Sequence, residues 1–435
     1  MRPKFRLGVL TVFLLAVASI TGEAAELERA LVAYGDVNGV DTFSGIPYFF
    51  LRAGRRIGLF KGGVTLRPER FRRRRMLWNA LRPLTLERPR GFMYSRAHLH
   101  ALWADRRAPE GIGEYVSHIQ SLPPRELVGE PVSYYIDATM RQYFEGYGRS
   151  LGTRIRAEAL AREQDAYEAA RFVVCMSRWC ADDVVASYGI SPEKVRVILP
   201  GANLEEASVP APTAWDGSLV PLRLGFIGID WERKGGPELL DAATRLQKMG
   251  HSVEVVVIGP DASELPPHPA LRPMGFIGKA HDLRRFVEVV RSFHFGCLLS
   301  HAEALGISTL ECLRLGVPVI ATAVGGIVDT VPKGAGLLMP AERTSERLAE
   351  ELAAVLETPE RYARMRAAAQ EVAAHQSWDR AAREFLALLE SDGPTAARRP
   401  ARGRSVALSR ADSPTRSASA SVQDPPVPWS ASGPP

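Results

Sequence analysis

The feature that most constrains this chain is an alternation that runs twice. Short apolar runs alternate with helical patterns, stop at a proline-bearing stretch, and begin again. In the first half Leu27–Tyr34, Ile57–Phe60, Val132–Ile136, Phe172–Met176 and Val195–Leu199 read as strands. Helical patterns cover Pro47–Arg52, Arg156–Ala170 and Arg178–Tyr188, the last opened by Ser177 as N-cap. A basic stretch holding Arg67, Arg70 and Arg72–Arg75 reads as helix reaching toward Ala104. Residues 207–221, with Pro210, Pro212 and Pro221 and little periodicity, read as a linker. Beyond it strands are expected at Leu222–Ile227, Val253–Ile258, Gly275–Ile277, Phe295–Leu299, Pro318–Ala321 and Gly336–Met339, with helices at Pro237–Met249, His281–Val290 and Ser308–Leu315. Strands separated by helices demand parallel sheets covered on both faces. The expectation is α/β: two Rossmann-like, doubly wound halves, 27–206 and 222–377, facing a cleft. An amphipathic helix, Trp378–Leu389 within 378–391, is expected to return and brace the first half.

Charge narrows the function classes. Of the formal +6, residues 1–26 hold +1 (Arg2, Lys4 and Arg6 against Glu23 and Glu26), and residues 392–435 hold +3 (six arginines against Asp392, Asp412 and Asp424). The body keeps only +2, which speaks against a nucleic-acid partner, whose footprint is a basic folded domain. Residues 1–26 pair a basic start with the apolar run Leu7–Ile20 and small residues at Ala18, Ala24 and Ala25; they read as a leader, a shallow anchor or a start-site extension. Residues 392–435, rich in Pro, Ser, Ala and Arg, cannot bury enough apolar surface to order and read as a disordered tail. Cys175, Cys180, Cys297 and Cys312 lack C-x-x-C spacing and read as small buried hydrophobes.

Ligands of doubly wound sheets sit beyond the carboxyl ends of the strands. Two such ends carry unusual polar groups. Gly228–Gly236 sets Arg233, a forked donor, beside Lys234, a point charge, before Gly235, Gly236 and a helix start; that combination suits a diphosphate. Ser300–Glu311 sets Glu303 in the loop after a strand and Glu311 about one turn into the next helix. A loop carboxylate accepts hydrogen bonds from vicinal hydroxyls, the amides at Gly306, Ile307 and Ser308 face an anion, and a carboxylate on the helix reaches a ribose.

These residues resemble a known family. Glu303 and Glu311 have the E-x7-E spacing of retaining glycosyltransferases with the GT-B fold, glycosyltransferase family 4. Gly316–Ala321, Gly325-Gly326, Met176-Ser177 and Pro200–Asn203 match the same pattern, over roughly residues 27–390. The resemblance implies that Glu303 holds the donor sugar hydroxyls, that Glu311 binds the nucleoside ribose, and that Ala304, Leu305, Gly306, Ile307 and Ser308 line the donor sugar and nucleoside. Arg233 and Lys234 become the diphosphate clamp. Gly45 matches the glycine loop where donor and acceptor meet, and Asp137 stands where many relatives place a histidine near the reacting carbon. The sequence departs from the pattern at Ile229, where an arginine is usual, at Ala304 in place of glycine, and at Asp329 in place of glutamate.

The implied reaction moves a sugar from a nucleoside-diphosphate sugar to a glycan, lipid-linked or small-molecule hydroxyl by front-face displacement. It requires no metal and no cofactor, and no D-x-D element stands in a convincing place. The Arg72–Arg75 cluster reads either as a solvated helix face or as a contact for anionic lipid or glycan. Sugar nucleotides are cytosolic, which implies a cytoplasmic body, with residues 1–26 a start-site extension or an inner-membrane attachment. Two rival readings keep the scaffold and drop the transfer: a donor-binding pseudoenzyme, and a sugar-nucleotide epimerase or hydrolase. His118 and His281 have no partner spacing and read as structural.

Overall fold

The computed structural model describes residues 27–81, 91–147, 151–342 and 345–391. The leader at 1–26, the tail at 392–435 and residues 82–90 of the basic stretch lie outside the described residues.

The first half runs β1 (Arg29–Ala33), α1 (Ile46–Arg56), β2 (Gly62–Thr65), α2 (Arg72–Leu81), α3 (Arg96–Ala104), β3 (Glu114–Ser117), β4 (Val132–Ile136), α4 (Met140–Gly146), α5 (Thr153–Ala169), β5 (Val173–Cys175), α6 (Arg178–Tyr188) and β6 (Val195–Val197). The second runs β7 (Leu222–Ile227), α7 (Gly236–Lys248), β8 (Val253–Ile258), β9 (Leu271–Gly275), α8 (Lys279–Arg291), β10 (Phe295–Leu298), α9 (Ile307–Arg314), β11 (Val319–Thr322), α10 (Ile327–Thr330), β12 (Gly336–Met339), α11 (Ser345–Glu357), α12 (Pro359–Val372) and α13 (Trp378–Glu390).

Each half is built on a six-stranded sheet, ordered β2-β1-β3-β4-β5-β6 and β12-β11-β10-β7-β8-β9, with parallel pairings throughout. The expected fold class holds: both sheets are doubly wound, and the strand order reverses between β1 and β3 in the first and between β7 and β10 in the second. Those reversals place the chemistry. Gly228–Gly236 leaves β7 and Ser300–Glu303 leaves β10, so both polar loops rim one crevice.

The strand expectations fail where local chemistry hides burial. Ile57–Phe60 is not a strand: Ile57 caps α1, Gly58 turns at φ +77°, and Phe60 packs edge-on against Phe50, with ring centroids 5.2 Å apart. The second strand is Gly62–Thr65, whose glycines admit close neighbours; a Cβ on Gly63 would stand 2.4 Å from Val37. Strand β3 escaped notice because it opens on a carboxylate. Glu114 is fully buried and its charge is met by Arg29 at 2.9 Å and Arg171 at 3.2 Å. The strand expected at Gly275–Ile277 lies earlier, at Leu271–Gly275, because Gly275 turns out of the ladder at φ +66°. The basic stretch is two helices, α2 and α3. The cysteines are free and buried.

α13 packs on the first half. Trp378 and Phe385 pack on Phe50 of α1, at 5.6 Å and 5.5 Å between ring centroids, and join Tyr135 in one core cluster with Leu305 from the second half. Burying side chains of this size contributes about 2–3 kcal/mol each, enough to hold the two halves at a shared seam.

Candidate active site

Glu303 is the centre of the crevice. It is 14% exposed, and its Oε2 lies 3.4 Å from Lys234 Nζ, 3.5 Å from Arg233 Nη1, and 3.2 Å from the donating Ser300 hydroxyl. Burial alone would raise its carboxyl, but Lys234 and Arg233 hold it below the ordinary value, so it stays ionised. Arg233 is aimed by its own turn: its Nε donates to Asp230 Oδ2 at 3.1 Å and its Nη1 to Ala302 O at 3.1 Å. Trp231 is buried behind this turn, and its indole occupies the space a Cβ on Gly236 would take. Ile229 is 69% exposed and contributes no charge, so Arg233 is the forked donor here.

Glu311 lies in the first turns of α9 as expected, but it is 2% exposed and bonded to Lys279 Nζ. Burial raises its carboxyl, and Lys279 only partly offsets this. Nothing in the sequence marked Lys279, the first residue of α8, because the partner lies 32 positions away. Gly306 caps α9 at φ +71°, where a Cβ would meet Leu298 at 2.8 Å. The Ser308 hydroxyl in the first turn of α9 is buried without a hydrogen-bond partner, a polar atom with no protein group to satisfy it. Ala304 and Leu305 are buried, and Ile307 packs with the first-half cluster.

The first half closes over this loop. Tyr147, just past α4, comes up to the backbone of Ala304, and its ring lies 5.7 Å from the Arg233 guanidinium. Asp137 follows β4 on the facing wall; burial raises its carboxyl against the opposing pull of His118, and Glu303 adds a like charge from across the cleft. His118, read as a solitary structural histidine, is brought beside Asp137 at the end of β3. Burial lowers it, Asp137 draws it the other way, and its Nδ1 is 2.9 Å from Tyr135 O.

Gly45 sits at φ +90°, preceded by Phe43 and Ser44 at +49° and +56°. Consecutive left-handed non-glycine residues cost about 1–3 kcal/mol each and persist only where neighbours impose them. Here the fully buried Asn203 imposes them: its Nδ2 donates to Ser44 O at 2.6 Å, while its Oδ1 accepts from Trp378 Nε1 at 2.8 Å. No group of three or more His, Cys, Asp or Glu side chains with metal-holding geometry occurs among the described residues.

Residues 222–372 match the family model described as Glycosyl transferases group 1. A D-inositol 3-phosphate glycosyltransferase of Kribbella flavida is 30% identical over 252 residues, which cover 52% of this chain and 58% of that relative. The whole-chain fold resembles the sucrose-phosphate synthase of Thermosynechococcus elongatus, with a TM-score of 0.59 at 15% identity over 84% of this chain and 98% of that one. It also resembles Anabaena HepE, solved with UDP-glucose, with a TM-score of 0.55 at 15% identity over 83% of this chain and 99% of that one. The fold is GT-B.

Proposed function

With residues 222–372 forming a glycosyl transferases group 1 domain on a GT-B fold, we propose that the chain is a retaining glycosyltransferase acting on a nucleoside-diphosphate sugar. One observation carries the reading: a buried, ionised Glu303 held by Arg233 and Lys234 at the strand-order reversal, with Asp137 facing it from the other half. Arg233 and Lys234 both reach Glu303, and Arg233 also holds Asp230 through Nε, so an incoming anion would engage the N–H donors these two cations have left over. A donor diphosphate takes Arg233 and Lys234 as partners and leaves Glu303 oxygens free to accept the sugar hydroxyls. Glu311 turns from Lys279 to the ribose.

The bond from the anomeric carbon to the diphosphate breaks first, through an oxocarbenium-like state. The acceptor hydroxyl adds on the same face, and its proton passes to the departing phosphate oxygen. Negative charge grows on the diphosphate, where Arg233, Lys234 and the start of α9 stabilise it, so this chemistry calls for no metal or other cofactor. Asp137 and His118 orient the sugar, and the contact of Tyr147 with Ala304 excludes water.

The acceptor side is the first half, through a glycan, lipid-linked or small-molecule hydroxyl, and α2 carries the contact with an anionic membrane on the cytoplasmic face. No described helix is long and apolar enough to cross a membrane.

The test is a thermal-shift panel of uridine, guanosine and adenosine diphosphates and their sugar conjugates, followed by turnover with simple acceptors. A ligand at a hundred times its Kd stabilises the fold by about 2.7 kcal/mol. A shift confined to one base, with glycoside formed, is the expected result. Binding without turnover on any acceptor selects the pseudoenzyme, and an epimer or free sugar formed without acceptor selects the epimerase or hydrolase.

A further inference from the structure

The two halves share a helix cap. α6 belongs to the first half and opens on Ser177, whose hydroxyl accepts only from Cys180 N, at 3.2 Å. The amides one and two positions into the helix, Arg178 N and Trp179 N, donate instead to Asp329 Oδ2 of the second half, at 2.7 Å and 3.3 Å. A carboxylate on the first amides of a helix is favoured both by the unmet donors and by the helix dipole.

Asp329 is also joined to the Glu303 loop. It lies on α10, where Gly326 N donates to Ala304 O at 2.9 Å and the Thr330 hydroxyl donates to Leu305 O at 3.1 Å. The two glycines that open α10 leave no slack. A Cβ on Gly325 would stand 1.8 Å from Glu303 O, and one on Gly326 would meet Ala304 O at 2.3 Å and Ser177 Cβ at 2.8 Å. α10 is therefore wedged between the Glu303 loop and the N-terminus of α6.

We propose that Asp329 is a positioning residue that latches the two halves together and, through α10, ties the N-terminus of α6 to the Glu303 loop. Its action is to steady the Glu303 loop by coupling it to the first half. The inference rests on the glycosyltransferase reading for its kinetic arm and on geometry alone for its structural arm.

The structural arm compares wild type, Asp329→Ala and Asp329→Asn by amide hydrogen exchange and small-angle scattering, without ligand. Exchange at Arg178 and Trp179 is expected to rise on the order of tenfold or more in Asp329→Ala and less in Asp329→Asn, which keeps an acceptor oxygen. The radius of gyration rises with it, while exchange in β4 and β8 stays at the wild-type rate, showing both halves folded. Unchanged exchange at Arg178 and Trp179, or an unchanged radius of gyration, overturns the latch.

The kinetic arm measures transfer with saturating acceptor. KM for the donor is expected to rise roughly tenfold in Asp329→Ala, with a smaller fall in kcat, and Asp329→Glu is expected to recover part of the loss. A fall in kcat at unchanged KM overturns the positioning role. If wild type transfers no sugar, the glycosyltransferase reading fails while the structural arm still decides the latch.

Discussion

The two halves have the same architecture and solve different problems with it. In the second half the charges are already set against one another: Glu303 with Arg233 and Lys234, and Glu311 with Lys279. In the first half the facing wall is held by backbone constraint and burial. It offers a strained Phe43–Gly45 loop, a buried His118 beside Asp137, and a helix, α2, with no buried residue at all. The contrast teaches that, on the proposed reading, a diphosphate on a ribose would be met by paired charges already in place, and the variable part of the substrates by a wall whose geometry depends on distant supports such as Asn203 and Trp378.

The hardest test of that contrast is Glu303→Gln. The amide keeps the shape and removes the charge, leaving Lys234 without its carboxylate and Arg233 with Asp230 alone. Transfer is expected to fall by about a thousandfold, while nucleoside diphosphate affinity holds or improves, measured by calorimetry alongside turnover. Equal losses of both would mean that the site is not an electrostatic clamp.

In the first half the corresponding probe is a buried carboxylate outside the cleft. Glu163 of α5 accepts from Met140 N at 2.9 Å and from the hydroxyls of Tyr167 at 2.7 Å and Tyr188, and burial raises it from 4.5 to about 7 despite those donors. A raised carboxyl binds its proton in the folded chain while the unfolded chain has lost it. Stability is therefore full below about pH 4.5 and falls as pH rises toward 7. The drop is expected to be about 3 kcal/mol, read from urea midpoints across that range. Glu163→Gln should flatten this slope.

Glu311→Ala comes next in size. It removes the proposed ribose contact and leaves the half-buried Lys279 without its carboxylate, and a roughly tenfold to hundredfold loss of nucleoside diphosphate affinity is expected. Lys279→Met added to it should restore stability but not affinity, which separates the ribose role from the ion pair.

Legibility followed the same division. In the second half the strands are dominated by apolar residues, with single charges such as Arg223 and Glu254 that do not break the run, and β7, β8 and β12 fall where the residues place them. Their polar loops also carry the E-x7-E spacing and the Arg-Lys-Gly-Gly turn, so Glu303, Arg233 and Lys234 stand out in the sequence as candidates. In the first half the signals are masked by the interactions that make them work. Glu114 looks polar because its arginines are far away in sequence, and Gly62-Gly63 looks like a turn because only close packing explains glycine in a strand. His118, Tyr147 and Lys279 acquire partners only through the fold, and no spacing rule reaches them.

α2 sets the smallest expected effect against the same comparison. A ten-residue helix is marginal in water unless a face is buried. This one has no fully buried residue and docks through a half-buried Trp78, whose ring lies 5.8 Å from that of Phe92, while it shows Arg72–Arg75 and exposes Met76 at 62%, Leu77 at 61% and Leu81 at 52%. Basic and apolar groups together on a helix so lightly held fit an anionic lipid surface, where each arginine near the headgroups contributes about 1 kcal/mol. Co-sedimentation with vesicles containing anionic lipid is expected, with none on neutral vesicles and release at high salt. Arg73→Ala should weaken it roughly fivefold, and Leu77→Ser should weaken it without changing the salt dependence. Equal binding to neutral vesicles, or no change in either variant, would return α2 to a solvated face and leave the first half's specificity to the cleft alone.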